Sequence, residues 1–159
     1  MEEMLPPEIA PVDTSNRKKV IEDAFNSQDG LSKEDIIANH IQNLGLNVTV
    51  EQFMQSLAQA IKSGFKVIRI HNVLIAYQLQ KEDQSALMYI INGDSPKNYL
   101  RAVTKFIDSM RKAQVKLLKM YVEDQESATK IANATGVQDV SFEEDLNRDQ
   151  DPYLMTMVL

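Results

Sequence analysis

The sequence predicts an α+β fold: a mixed, mostly antiparallel sheet flanked by helices, with an extended N-terminal arm. Three observations carry this. Segments between Arg17 and Ile61 repeat apolar residues at helical spacing. At Val67 the period drops to two. From Ser85 to Leu159 the order reads strand, helix, strand, helix, strand, strand. A chain of 159 residues suffices for one core. Residues 17–159 are therefore expected as a single domain and residues 1–16 as the arm.

The arm holds Pro6, Pro7 and Pro11, which favour extended backbone. A first helix is expected from Arg17 to Asn26, with Val20, Ile21, Ala24 and Phe25 on one face. A second starts at Ser32, where Ser32 and Asp35 stand at capping-box spacing. Ile37, Ile41 and Leu44 line it, Ile36 and His40 flank them, and Gly45 fits a left-handed stop. A third starts at Thr49, with Gln52 three residues on, lines one face with Phe53, Leu57 and Ile61, and ends at Gly64.

Val67–Ile70 and Val73–Tyr77 then read as strands joined at His71-Asn72. After a polar turn, Ala86–Ile91 is a near-continuous apolar strand, as expected where both faces are buried. Asp94 or Ser95 caps the longest helix, from Pro96 to about Ala113, with Tyr99, Val103, Phe106, Ile107 and Met110 facing inward. Val115–Val122 is the next strand and Ser127–Thr135 a short helix stopped by Gly136. Val140–Phe142 and Tyr153–Leu159 form a closing hairpin around an acidic, solvated loop, Glu143 to Pro152.

Composition excludes several chemistries. There is no cysteine, which removes disulfides, thiolate nucleophiles and zinc–thiolate sites. His40 and His71 are the only histidines, so no multi-histidine metal site is expected. Formal net charge is −6, which opposes whole-surface attraction to nucleic acid. Lys97, Arg101, Lys105 and Lys112 form a basic helix face without interleaved aromatics, so it reads as solvated and nucleic acid is not an expected partner. No apolar run approaches the roughly 18 residues of a membrane helix. The N-terminus lacks the basic start and apolar core of a secretory signal, so a cytoplasmic setting is expected.

One local pattern points further. Gln125, Ala128, Ala132, Gly136 and Val137 stand at the spacing of N-x-x-A-x-x-x-Y-x-x-x-G-F. Ala128 and Gly136 match, whereas Gln125, Ala132 and Val137 replace the asparagine, tyrosine and phenylalanine. With the element order from Ser32 to Leu159, this resembles the GNAT-type N-acetyltransferases in degenerate form. The order is also similar to that of small internal virion proteins of podoviruses.

The resemblance implies a tyrosine that protonates departing coenzyme A, and alanine at 132 has no proton to give. It implies a glycine-rich pyrophosphate loop, R/Q-x-x-G-x-G/A, where this chain has Ser95 to Ala102 without glycine. It implies a glutamate on the central strands, and Ala86–Ile91 has none. The expectation is therefore a non-catalytic structural or interaction protein. It would have no catalytic residues and no cofactor, and would join other proteins in a larger assembly, in a cytoplasm or a virion. The arm and the strand Tyr153–Leu159 would be its contact elements. The alternative is a divergent acetyl-CoA-dependent N-acyltransferase, with Ser95, Lys97, Asn98 and Arg101 taking the phosphates and Asp94, Tyr121 or Tyr153 serving the proton. A second alternative is a winged-helix DNA-binding protein, with the hairpin Phe65–Tyr77 as wing and Val50–Lys62 as reader, although that helix carries one lysine.

Overall fold

Serine and threonine caps open the first two helices among the described residues. Ser32 Oγ accepts from Asp35 N at 3.1 Å and starts α1 (Lys33–Leu44), which Gly45 ends at φ 63°, a conformation that suits a residue without Cβ. Thr49 starts α2 (Val50–Lys62) with a reciprocal box: Gln52 N donates to Thr49 Oγ1 and Thr49 N to Gln52 Oε1, each at 3.0 Å. The computed structural model describes residues 30–159. The expected arm, and the helix expected from Arg17 to Asn26, lie outside the described residues.

Six strands follow: β1 (Lys66–Ile70), β2 (Val73–Gln80), β3 (Ser85–Asn92), β4 (Leu117–Val122), β5 (Asp139–Glu144) and β6 (Tyr153–Val158). Helix α3 (Pro96–Lys112) connects β3 to β4, and α4 (Gln125–Ala134) connects β4 to β5. The sheet order is β1-β2-β3-β4-β6-β5. Every neighbouring pair is antiparallel except β3 and β4. The mixed, mostly antiparallel sheet flanked by helices is thus the one the sequence predicts.

Two element starts shift for local reasons, and one strand takes a different place in the sheet. Strand β4 starts two residues late, because Val115 N still donates to Met110 O and Gln114 turns the chain at φ 64°. Helix α4 starts two residues early, because Asp124 caps it, accepting from Glu126 N at 3.2 Å and from Ser127 Oγ at 2.7 Å. The last strand, expected as a free contact element, lies between β4 and β5, and β1 and β5 are the edges. The hairpin expected as a wing is β1–β2, hydrogen-bonded into the continuous sheet through β3. No helix among the described residues is long and apolar enough to cross a membrane.

Alternation along the strands sends side chains to two cores. Val73, Ile75 and Tyr77 of β2 and Met88 and Ile90 of β3 pack with Phe106, Ile107 and Met110 of α3 and with Ala128 and Ala132 of α4. On the other face, Leu74 and Ile91 pack with Ile36 and Ile37 of α1. Gly93 sets how closely α1 approaches the sheet. A Cβ there would lie 2.8 Å from Ile36 Cα, so only glycine lets the helix backbone rest on the turn after β3. One helical turn beyond Ile36 stands His40.

The larger core contains one unmatched polar atom. Among the described residues, Tyr77 Oη is buried without a hydrogen-bond partner, while the ring packs 5.5 Å from Phe106. Burial pushes this phenol well up. A desolvated hydroxyl with no partner opposes folding, so Tyr77→Phe is expected to raise stability by about 1 kcal/mol. Urea denaturation checks this; a lower midpoint in the variant would reveal a partner for the hydroxyl.

Candidate active site

Strands β3 and β4 run side by side for only three register pairs, Ser85–Leu117, Ala86–Leu118 and Leu87–Lys119. Beyond Leu87 they diverge, while β3 stays paired to β2 as far as Asn92 and β4 to β6 as far as Val122. Alternate β3 residues turn their backbone away from β2. Asn92 is one of them, since its N–H leaves the sheet and donates to His40 Nδ1. Ile90 shares that parity, and past the divergence its backbone edge has no strand partner among the described residues. Such an edge can hydrogen-bond an extended, amide-bearing ligand as an added strand would.

The divergence opens a cleft of about 470 Å3. Tyr89 and Ile90 of β3 form one wall, Met120 and Val122 of β4 the other, with Ala128 and Ile131 of α4 across the base. The size suits a small-molecule site. Residues sequence reasoning placed in a solvated loop reach it too: Asp151, from the β5–β6 connection, lines the cleft.

A second cavity, also of about 470 Å3, opens over α2. Phe53, Leu57 and Ala60 of α2 face Ala76 and Tyr89 of the sheet, and no charged side chain lines it. Tyr89 belongs to the walls of both cavities and is 41% exposed.

His40 holds that hydroxyl. Its Nε2 lies 3.2 Å from Tyr89 Oη, and its Nδ1 accepts from Asn92 N at 3.1 Å. The backbone donor fixes the tautomer: Nδ1 carries the lone pair, so Nε2 carries the hydrogen and donates to Tyr89. Burial pushes His40 down from 6.5 to about 4, so the ring is neutral at pH 7. Its edge meets Phe53 and Tyr89, with centroids at 5.7 and 5.9 Å. Burial, followed by the charge of Asp151, pushes the Tyr89 phenol above its ordinary value.

Of the residues singled out from sequence, Tyr121 reaches the cleft and the others sit elsewhere. Ser95 caps α3, its Oγ accepting from Asn98 N at 3.3 Å. Asn98 Nδ2 donates to Asp94 Oδ1 at 3.0 Å. Lys97 and Arg101 are exposed on the first turns of α3, and none of the four lines the cleft. Asp94 is a clasp, accepting from Ser95 N, Asn98 Nδ2 and Asn72 N. Partial burial pushes its carboxyl up, but these hydrogen bonds and nearby His71 outweigh that and hold it below the ordinary range, which suits an ionised cap rather than a base. Tyr121 lines the cleft, with the Arg148 guanidinium 3.7 Å over its ring, whereas Tyr153 does not line it. Ala132 is a core residue of α4. No group of three or more His, Cys, Asp or Glu side chains among the described residues is placed to hold a metal.

Sequence reasoning missed Tyr89 and the role of His40. The available signal was a lone polar-tipped residue inside an otherwise apolar strand, together with a histidine on the apolar flank of a helix.

No family model and no curated protein matches the sequence. Solved structures do. The chain is similar to a ribosomal-protein-alanine N-acetyltransferase from Brucella melitensis, with 13% identity and a TM-score of 0.52 over 82% of this chain and 98% of that one. It is similar to a ribosomal-protein-S5-alanine acetyltransferase from Vibrio fischeri, with 15% identity and a TM-score of 0.50 over 79% and 86%. It is also similar to the microcin C7 self-immunity acetyltransferase, solved with acetyl-CoA and AMP, with 10% identity and a TM-score of 0.52 over 86% and 100%. These neighbours overturn the expectation of a non-catalytic structural or virion module: each carries the name of an acetyltransferase, and none that of a virion component. At such identities the likeness establishes architecture, and the described chain has a GNAT-type fold with the cleft open between its two central strands.

Proposed function

We propose that the protein is a divergent acetyl-CoA-dependent N-acyltransferase. One observation carries this reading: β3 and β4 part after Leu87 and leave the backbone edge of Ile90 facing a cleft of about 470 Å3. The coenzyme's arm is a chain of amides, which an unpaired strand edge can hydrogen-bond. The apolar walls of Met120, Val122 and Ile131 suit its methylene segments. When bound, acetyl-CoA supplies an acyl group on a thioester.

The phosphates belong at the start of α3. Ser95 and Asn98 shape the first turn, and Lys97 and Arg101 offer two exposed cations there. Without a glycine loop, side-chain charge replaces much of the backbone cradle. Calorimetry with acetyl-CoA tests the assignment. Saturable binding is expected, weakening as salt is raised. Lys97→Ala is expected to weaken it about 3-fold to 5-fold, the scale of one exposed ion pair. A wild type that does not bind acetyl-CoA would dismiss the reading.

A further inference from the structure

Resting on that reading, we propose that Tyr89, its hydroxyl aimed by His40, is the proton-carrying residue of the transfer, acting on a nucleophile whose body is uncharged and apolar. The geometry supports it at four points. Tyr89 is the side chain of β3 that lines both cavities, so it borders what lies in the cleft and what lies over α2, and its Oη is placed 3.2 Å from His40 Nε2. The α2 cavity has no charged lining, which disfavours a polycation or an acidic peptide and favours an aliphatic or aromatic body against Phe53 and Leu57. His40 Nε2 donates to Tyr89 Oη, so the phenol's own hydrogen points away from His40 and is available to a ligand. Asn92 N occupies His40 Nδ1, so the ring cannot turn over without leaving a backbone donor unpaired.

The groups facing Tyr89 define its working state. His40 approaches from α1 and Phe53 from α2, and Asp151 acts from the β5–β6 connection. Burial and Asp151 both disfavour the phenolate, so the phenol is intact at neutral pH. In the transfer, the nitrogen lone pair of the acceptor forms the new N–C bond while the thioester C–S bond breaks. Tyr89 Oη gives its hydrogen to the departing sulfur and takes one from the acceptor nitrogen, so the phenol is restored. The products are an N-acyl compound and a free thiol, with no oxidant or reductant. His40 keeps its proton throughout, and its Nε2–H steadies Oη while negative charge develops there.

The test compares wild-type protein with Tyr89→Phe, which keeps the ring against His40 and Phe53. Enzyme-dependent thiol release from acetyl-CoA, with hydroxylamine as a small uncharged nucleophile, should fall about 100-fold in kcat at unchanged KM, the lower end for a positioned acid–base group. Two further readouts do not depend on turnover. Tyr89→Phe should weaken CoA binding about 3-fold to 5-fold and leave desulfo-CoA binding unchanged, since the lost contact is with sulfur. Imidazole nitrogen NMR at neutral pH should place the His40 hydrogen on Nε2. A wild type that binds no acetyl-CoA overturns the acyltransferase reading and this role with it. Binding without enzyme-dependent thiol release, wild-type turnover in Tyr89→Phe, or a His40 hydrogen on Nδ1 overturns the proton role alone.

Discussion

Phe106→Ala is expected to cost about 3–5 kcal/mol, the usual scale for deleting a buried phenyl ring. Phe106 is 0% exposed on α3, and its ring lies 5.5 Å from Tyr77 at an interplanar angle of 56°. It sits where the longest helix meets the centre of the sheet, among Ile75, Met88 and Met110. The sheet cannot collapse into the space, because β2 and β3 are locked over eight register pairs, Val73–Asn92 to Gln80–Ser85. A cavity therefore remains, and its cost adds to the lost transfer energy. Domains of this size hold about 5–15 kcal/mol in total, so the variant should be marginal at 25 °C. Urea denaturation with an unchanged slope gives the number. A loss under about 1 kcal/mol would mean that α3 is not seated on the sheet at this ring.

The inward face of α3 was legible because nature wrote it with a strict period: Val103, Phe106, Ile107 and Met110 return every three or four residues and are all buried. Caps were legible for the same local reason. Ser32, Thr49 and Ser95 each accept from an amide three residues on, a contact that sequence spacing alone defines. What sequence could not carry was sheet order. The hairpin of β5 and β6 is local, but the insertion of β6 against β4 joins Leu117 to Val158 and Val122 to Tyr153 across more than thirty residues. Nothing in the period of either strand names its partner, so the final strand read as an edge.

The site failed to show for a related reason. The resemblance directed attention to residue 132 and to the start of α3, positions fixed by a motif. The structure instead brings together His40, Tyr89 and Asn92, which are 49 residues apart for His40–Tyr89 and 52 for His40–Asn92. Tyr89 lies in an apolar run that read as one strand buried on both faces, yet its ring leaves the larger core because odd-numbered residues of β3 face α1 and α2 rather than α3. Absence of a glutamate on that strand was read as loss of chemistry. The role proposed for Tyr89 needs no carboxylate on that strand: a phenol beside a neutral imidazole offers one proton donor with one fixed hydrogen bond behind it.

Lowering the pH from 7 to 4 should remove about 3 kcal/mol of stability through His40 alone. The ring is 5% exposed, and burial pushes it from 6.5 down to about 4. Above the unfolded value of about 6.5 the imidazole is neutral in both states, and the full contribution is present. Between 6.5 and about 4 the unfolded chain binds a proton that the folded chain excludes, so stability falls as pH falls. Below about 4 both states are protonated and the contribution is gone. The groups in contact with His40 do not titrate in this window to mask it: Tyr89 faces it as a phenol, Phe53 has no proton to exchange, and Asn92 presents a backbone N–H, while the Asp151 carboxylate in the same cleft is common to wild type and variant. Asp83, Asp94 and Asp124 are held below the ordinary carboxylate range by their hydrogen bonds, against burial that raises them. They add acid lability of their own, but it is common to any His40 variant and cancels in the difference. His40→Phe should start less stable at pH 7, because Asn92 N loses its acceptor, and should then decline less steeply toward pH 4. Denaturation curves at half-unit steps decide it. Wild type and His40→Phe losing stability in parallel across that window would show that the imidazole takes up its proton without leaving its place between Asn92 and Tyr89.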